Sequence, residues 1–301
     1  MRVLIAAASF SSQLSGVQRH AFSLSRCLLA HPGVSEVNLV VAPWQREMVR
    51  RSGLPSHDNF KVHFARMGNS PMERNLWYYR GLPELAAQLK ADMLHLAYPV
   101  PLNADAFSSP TVVTLHDLYP YQIPSNFGFP KAFFNQVILR QCLGEVDSIA
   151  CVSESTRRLL HRYTASRIQQ KAVRIYNCVE PEAECATQSP IPGWTGQPFF
   201  LCVAQHRRNK NLPFLLGAFE RLLRTQRIDG STQLLIVGIA GPETHRIHDA
   251  IDRAGLGRSV LLMEGLPEAD LQWCYKNCTV AVAPSITEGF GLPVAEALRA
   301  T

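Results

Sequence analysis

The sequence predicts an α/β protein built from two parallel-sheet domains, on three observations. Short apolar runs alternate with longer segments of helical period, as in a sheet covered on both faces. The composition changes over residues 181–198 to Pro, Gly, Ser, Thr and Glu. Beyond that change the same alternation begins again.

In the first domain, residues 1–180, the apolar runs at 3–8, 37–42, 61–64, 93–97, 111–116, 148–152 and 173–176 are expected to be strands. Helices are expected near 17–30, 74–89, 130–143 and 154–163, with Ser153 as the N-cap of the last. The opening MRVLIAAASFSS has the outward look of a leader peptide. An amphipathic segment follows it at once, so a first buried strand is the better reading.

Residues 181–198 (PEAECATQSPIPGWTGQP) are read as the linker. The second domain, 199–301, opens with a strand at 199–204. A helix at 212–223 follows, with apolar residues at 212, 215, 216, 219, 222 and 223. Strands at 233–237, 260–263 and 279–283 then enclose helices near 243–254 and 268–276.

Hydrophobic residues make up 47% and charged residues 18% of the 301, the balance of a globular and not a disordered chain. The net charge is +6. One basic run stands out: Arg157, Arg158, Arg162, Arg167, Lys171 and Arg174. A solvated helix face is its first reading; an anionic membrane surface and nucleic acid are the others, and no aromatic-interleaved RNA-binding pattern accompanies it. The eight cysteines (27, 142, 151, 178, 185, 202, 274 and 278) contain no CxxC. Cys274 and Cys278 without further ligands make a poor zinc site, so a reduced, cytoplasmic protein is expected. No apolar run reaches the ~18 residues of a membrane span.

The strongest functional signal is Glu288-Gly-Phe-Gly-Leu-Pro-Val-Ala-Glu296, after the apolar run 280–284. Two carboxylates eight positions apart would flank a Gly-Phe-Gly loop and the helix it opens, beyond the end of a buried strand. Ligands of open α/β sheets bind there. The glycines allow close backbone approach, free amides suit oxygen ligands, and acceptor-only carboxylates suit sugar and ribose hydroxyls. The stretch resembles the E-x7-E signature of the retaining glycosyltransferases typified by glycogen and sucrose synthases and bacterial mannosyltransferases. That resemblance implies the GT-B fold, two Rossmann-like domains facing across a cleft. It assigns Glu288 and the amides of Phe290, Gly291 and Leu292 to the donor sugar, and Glu296 to the ribose. Members of the family continue past the point where Thr301 ends this chain. A second domain that is incomplete, with an unpaired edge beside 279–283, is therefore expected.

Other candidates also fall just beyond strand ends. Ser15-Gly16-Val17 opens a helix, and Gly16 would let amides approach a phosphate or an acceptor. Thr114-Leu-His116-Asp117 looks like the family's His-Asp pair: His116 would donate a hydrogen bond to the donor sugar, oriented by Asp117. Asn177-Cys178-Val179 resembles an Asn-Gly-Val turn, with Cys178 in the glycine's place. In Gln205-His-Arg-Arg-Asn-Lys210-Asn211, Arg207, Arg208 and Lys210 crowd a loop and Asn211 is expected to cap the following helix. A diphosphate would offset the cations' mutual repulsion. The resemblance assigns Lys210 to the donor's phosphates and leaves Arg207 and Arg208 as equal candidates for the arginine. Gly238-Ile-Ala-Gly241 follows a strand and has two readings, a place under the nucleotide base or a plain βα turn.

The function these residues imply is transfer of a hexose from a nucleoside diphosphate sugar to an acceptor hydroxyl. Anomeric configuration is retained, in polysaccharide or glycoconjugate synthesis, with His116, Glu288 and Lys210 as the catalytic group. No Asp-x-Asp occurs, so no metal and no cofactor beyond the donor are expected. The acceptor, the base and the sugar are not legible. A non-catalytic nucleotide-sugar-binding subunit, a sugar-nucleotide epimerase and a nucleic-acid binder are the rival readings. The expected location is the cytoplasm, with peripheral association at the inner membrane face as a further partner. Trp77, Tyr78, Tyr79, Phe127, Phe129, Phe133 and Phe134 are expected to be core rather than binding surface.

Overall fold

The computed structural model describes residues 1–12, 14–124, 128–179 and 185–300. They form two compact units, Met1–Cys178 and Val179–Thr301.

The first unit holds a seven-stranded parallel sheet. Its strands are β1 (Arg2–Ala6), β2 (Glu36–Val41), β3 (Phe60–Phe64), β4 (Met93–Leu96), β5 (Thr111–Leu115), β6 (Ser148–Cys151) and β7 (Ala172–Arg174). Their spatial order is β3-β2-β1-β4-β5-β6-β7. Period-two alternation sends neighbouring side chains to opposite faces. Leu4 and Ala6 of β1 thus enter the core with Leu94, Leu96 and Val113. Val3 and Ile5 enter the other, with Val37, Leu39 and Phe22. Both faces are buried, which is why β1 reads as an unbroken apolar run.

The second unit holds a four-stranded parallel sheet, ordered β10-β9-β8-β11. Its strands are β8 (Phe199–Val203), β9 (Gln233–Val237), β10 (Val260–Met263) and β11 (Val280–Ala281). Leu234 and Ile236 face one core and Leu235 and Val237 the other. In each sheet the strand order reverses once, between β1 and β4 and between β8 and β11. Ligand crevices open beyond the carboxyl ends of strands at such reversals.

Four expectations about elements and packing need correction. The helix expected from residue 74 begins at Pro71, where Ser70 Oγ accepts from the Glu73 amide and Glu73 returns a bond to the Ser70 amide. Its continuation passes through a π-helical turn over Trp77–Gly81. Residues 185–198 do not behave as a free linker. Ile191 is buried, the Trp194 ring packs edge-on against Trp273 at 5.0 Å, and the Ala186 amide donates to Ala269 O. Residues 181–184 lie outside the described residues, as does Phe127.

Trp77 and Tyr78 are buried as expected, but Tyr79, Phe129, Phe133 and Phe134 are exposed. In the helix Lys131–Glu145 the buried residues are Leu139, Cys142 and Leu143. Spacing of three and four extends that stripe from Leu139 back to 135 and 136, which leaves 133 and 134 off it. Asn211 stands at the N-cap but its side chain caps nothing. Its φ of 54° is left-handed, and the amide donates instead to Pro284 O, 3.3 Å away.

Ser153 does cap its helix, accepting from the Thr156 amide at 3.0 Å. Cys178 has no left-handed backbone, so the turn there needs no glycine. All eight cysteines are free. Burial pushes the Cys142, Cys202 and Cys274 thiols up to about 12, which keeps them protonated and inert.

Candidate functional site

In the second unit, the loop after β8 and the loop after β11 meet at the reversal of strand order. Three contacts join them. Ile286 N–H donates to Asn209 O at 2.9 Å, the Asn211 amide reaches Pro284 O, and Lys210 Nζ lies 2.5 Å from Glu288 Oε1. Ser285 Oγ donates to the same carboxylate oxygen at 2.7 Å. The Lys210 and Glu288 side chains keep 17% and 30% of their surface open, so the pair is reachable and only partly screened by water.

The anion beside Lys210 in the structure is the Glu288 carboxylate. Arg207 and Arg208 are exposed on the same loop.

Gly291 has a φ of +82°, which an L side chain tolerates poorly. That turn starts the Leu292–Ala300 helix, with the amides of Val294 and Ala295 returning to Gly291 O. Phe290 is half-buried beside it. Glu296 projects from the helix and accepts from Tyr275 Oη at 2.8 Å. Nothing in the spacing of the sequence pointed to Tyr275.

Gly238 and Gly241 fit the turn reading of their segment. A Cβ on Gly238 would stand 1.9 Å from Ala204 O, and one on Gly241 would stand 2.6 Å from His206 O. These glycines let the β9 turn lie against the β8 loop, so their missing side chains serve packing. Thr244 Oγ1 knits the same region, accepting from the Gly241 amide at 2.8 Å and lying 3.0 Å from His206 Nδ1.

In the first unit, Gly16 starts the Gly16–Leu29 helix. No acid occupies its first turn, and the N-cap Ser15 makes no capping bond. His116 follows β5, and its Nε2 lies 2.9 Å from Ala97 O. A carbonyl only accepts, so Nε2 carries the hydrogen. Burial lowers the ring's pKa to about 4, so it is neutral at pH 7 and Nδ1 is a bare lone pair. His116 therefore presents an acceptor, not the donor expected of it. The Asp117 carboxylate accepts from the Tyr119 amide at 3.0 Å, and Ala97 O holds the His116 ring.

Two histidines the sequence reading passed over stand beside it. The His20 ring meets His116 edge-on at 4.9 Å between centroids. His20 Nε2 and His95 Nε2 lie 2.9 and 2.8 Å from Thr114 Oγ1. The hydroxyl can donate only once, so at least one of those two nitrogens carries hydrogen. Burial, with the neighbouring imidazoles, lowers His20 to about 3 and His95 to about 4. Among the described residues no group of three His, Cys, Asp or Glu side chains is arranged to hold a metal. No helix among them is long and apolar enough to cross a membrane.

Two parallel-sheet units, each with polar loops at its reversal of strand order, match the GT-B architecture. Residues 14–183 match the profile described as Glycosyltransferase Family 4, and residues 186–301 that of Glycosyl transferases group 1. The chain belongs to this glycosyltransferase family. It is 26% identical over 218 residues to the serotype-specific mannosyltransferase WbdA of Escherichia coli, covering 67% of this chain and 26% of that protein. The chain thus spans about a quarter of that relative's length.

In fold it is similar to sucrose-phosphate synthase of Thermosynechococcus elongatus, with a TM-score of 0.72 and 17% identity over 99% of this chain and 79% of that one. It is also similar to HepE of Anabaena, solved in complex with UDP-glucose. There the TM-score is 0.67 and the identity 14%, over 99% of this chain and 78% of the other.

Proposed function

We propose that this chain is a retaining hexosyltransferase that takes its sugar from a nucleoside diphosphate donor and passes it to an acceptor hydroxyl. The contact between Lys210 and Glu288 at the strand reversal of the second unit carries this reading. It unites a cation suited to phosphate with a carboxylate suited to sugar hydroxyls. A mannosyltransferase among the relatives and a UDP-glucose complex among the structural neighbours support the substrate class. The O-antigen type of polysaccharide is the proposed product.

The chemical demand is a diphosphate gaining negative charge while the sugar becomes oxocarbenium-like. Lys210, with Arg207 or Arg208, offsets the charge on the leaving group, the task a metal performs elsewhere. Glu288 and the amides of Phe290, Gly291 and Leu292 hold the sugar, and Glu296, steadied by Tyr275, takes the ribose. Gly16 and the lone pair on His116 Nδ1 are assigned to hydroxyls on the acceptor side. In the proposed step the acceptor oxygen bonds to the anomeric carbon on the face the phosphate leaves. The acceptor's proton passes to a phosphate oxygen, so no protein nucleophile is needed.

Peripheral membrane association belongs to the same proposal. The exposed Phe133 and Phe134 share a helix with exposed Lys131 and Arg140, a pairing suited to an anionic lipid surface.

The test is a panel of nucleotide sugars with product anomers read by proton NMR, for the wild type and Lys210→Ala. An α-linked donor should give an α-linked product, and the substitution should lower turnover by about tenfold or more. An inverted product, or an unchanged rate, would overturn the proposal.

A further inference from the structure

At the strand reversal of the first unit, beyond the carboxyl ends of β1 and β4, the chain is pinned unusually firmly. Tyr78 and Tyr98 both donate to Ala8 O, at 2.7 and 2.5 Å. Trp44 Nε1 donates to Ser9 O at 2.9 Å, and Gln45 donates to Ser9 Oγ at 2.9 Å and to Ser11 O at 3.1 Å. Loops held this way present their neighbours in fixed positions, the condition for a preorganised site.

Phe10 stands in that loop and keeps 39% of its surface open. The Arg74 guanidinium lies over its ring, 3.7 Å from the centroid. Arg74 comes from the helix that runs into the π-helical turn carrying Tyr78, and such turns recur at functional sites.

The charge at Arg74 has no acid beside it. Its polar contact is a weak one to Asn75 Oδ1 at 3.3 Å, and its Nε is buried with no acceptor. The adjacent acid, Glu73, is spent on the Ser70 cap. Among the described residues no carboxylate pairs with Arg74. A half-buried guanidinium in this state is poorly compensated, and its terminal NH2 groups can donate to the oxygens of an anion.

We propose that Arg74 and Phe10 form an acceptor subsite in which the guanidinium binds the phosphate of a phosphorylated saccharide while its carbon skeleton packs on the exposed ring. This rests on the transferase reading above and names the chemical class of its acceptor. The phosphate can belong to a free sugar phosphate or to a lipid-linked headgroup.

Calorimetric titration of the full chain tests this with mannose 6-phosphate, methyl α-mannoside and farnesyl phosphate. Mannose 6-phosphate should bind about tenfold tighter than the neutral glycoside. Arg74→Gln should abolish that preference. Arg74→Lys should keep part of it, and Phe10→Ala should weaken both sugars alike. If farnesyl phosphate outbinds mannose 6-phosphate through Arg74, the lipid headgroup is the source; the reverse order names the free sugar phosphate. Lys210→Ala should leave these affinities unchanged, which separates this subsite from the donor site. Loss of binding in Lys210→Ala, full binding in Arg74→Gln, or no preference for phosphate each overturns the assignment. Failure of donor transfer with intact Arg74-dependent binding would instead strike the proposed function.

Discussion

Lys210 and Glu288, 78 residues apart in the chain, touch where the strand order of the second unit reverses. The contact makes the lysine's charge depend on what occupies the loop. With Glu288 replaced by Gln, Lys210 loses its carboxylate and should hold a free nucleoside diphosphate more tightly, while the hydrolysis or transfer of a sugar donor falls. Competition binding with UDP and GDP, beside turnover of the matching sugars, reads both effects. Weaker diphosphate binding together with normal turnover would separate the pair from the donor.

Tyr275 is the hydroxyl that steadies Glu296. Tyr275→Phe keeps the ring that fills the core and removes one bond to a charged acceptor, worth about 1.5–3 kcal/mol where well shielded. The expected result is a raised KM for the donor with kcat nearly unchanged. A fall in kcat at constant KM would mean that Glu296 acts on the reacting sugar instead.

Gly238→Ala forces a methyl group against Ala204 O. Overpacking of this kind costs about 1–3 kcal/mol. Urea unfolding followed by the fluorescence of Trp194 and Trp273 should show the second unit melting earlier. An unchanged midpoint would show that the turn has room to spare.

The histidine cluster gives the first unit a pH dependence. His95 has an unfolded value near 6.5 and a folded value lowered to about 4, chiefly by burial. The unfolded chain therefore binds its proton first as pH falls. Stability tied to neutral His95 is fully present above 6.5 and is lost as the pH drops toward about 4. Wild type should lose stability over that interval more steeply than His95→Gln, which keeps a donor for Thr114 but does not titrate. Parallel slopes in urea melts at several pH values would contradict this.

Phe133 and Phe134 face solvent, so replacing both with Ser should shift stability by no more than about 0.5 kcal/mol. Leu139→Ala, in the buried stripe of the same helix, should cost about 2–5 kcal/mol. The double serine variant should also bind anionic vesicles more weakly in a sedimentation assay. Undiminished vesicle binding would remove these rings from any membrane contact.

Much of this was legible in the sequence because strands buried on both faces leave continuous apolar runs, as in β1 and β9. Lys210, Glu288 and Gly291 were also legible, since each stands in a short motif of fixed spacing after such a run. Contacts between separate elements were not. Tyr275 reaches Glu296 from another helix, and Thr114 meets His20 and His95 from other elements, so these bonds depend on the fold bringing distant segments together. Ser70-x-x-Glu73 did carry a readable capping pattern for the helix start at Pro71. The exposed Phe133 and Phe134 defeated composition-based reasoning, because hydrophobicity alone does not tell which face a helix buries. His116 was found by its place after a strand, but its proton's position required knowing that Ala97 O faces it.

Titrating wild type, Lys210→Ala and Glu288→Gln with UDP-glucose and GDP-mannose in a calorimeter is the most direct measurement. Lys210→Ala should weaken the bound donor by about tenfold or more, and Glu288→Gln should lose the preference for the sugar donor over the bare diphosphate. Equal donor affinities in all three proteins would contradict a donor site at the Lys210–Glu288 contact.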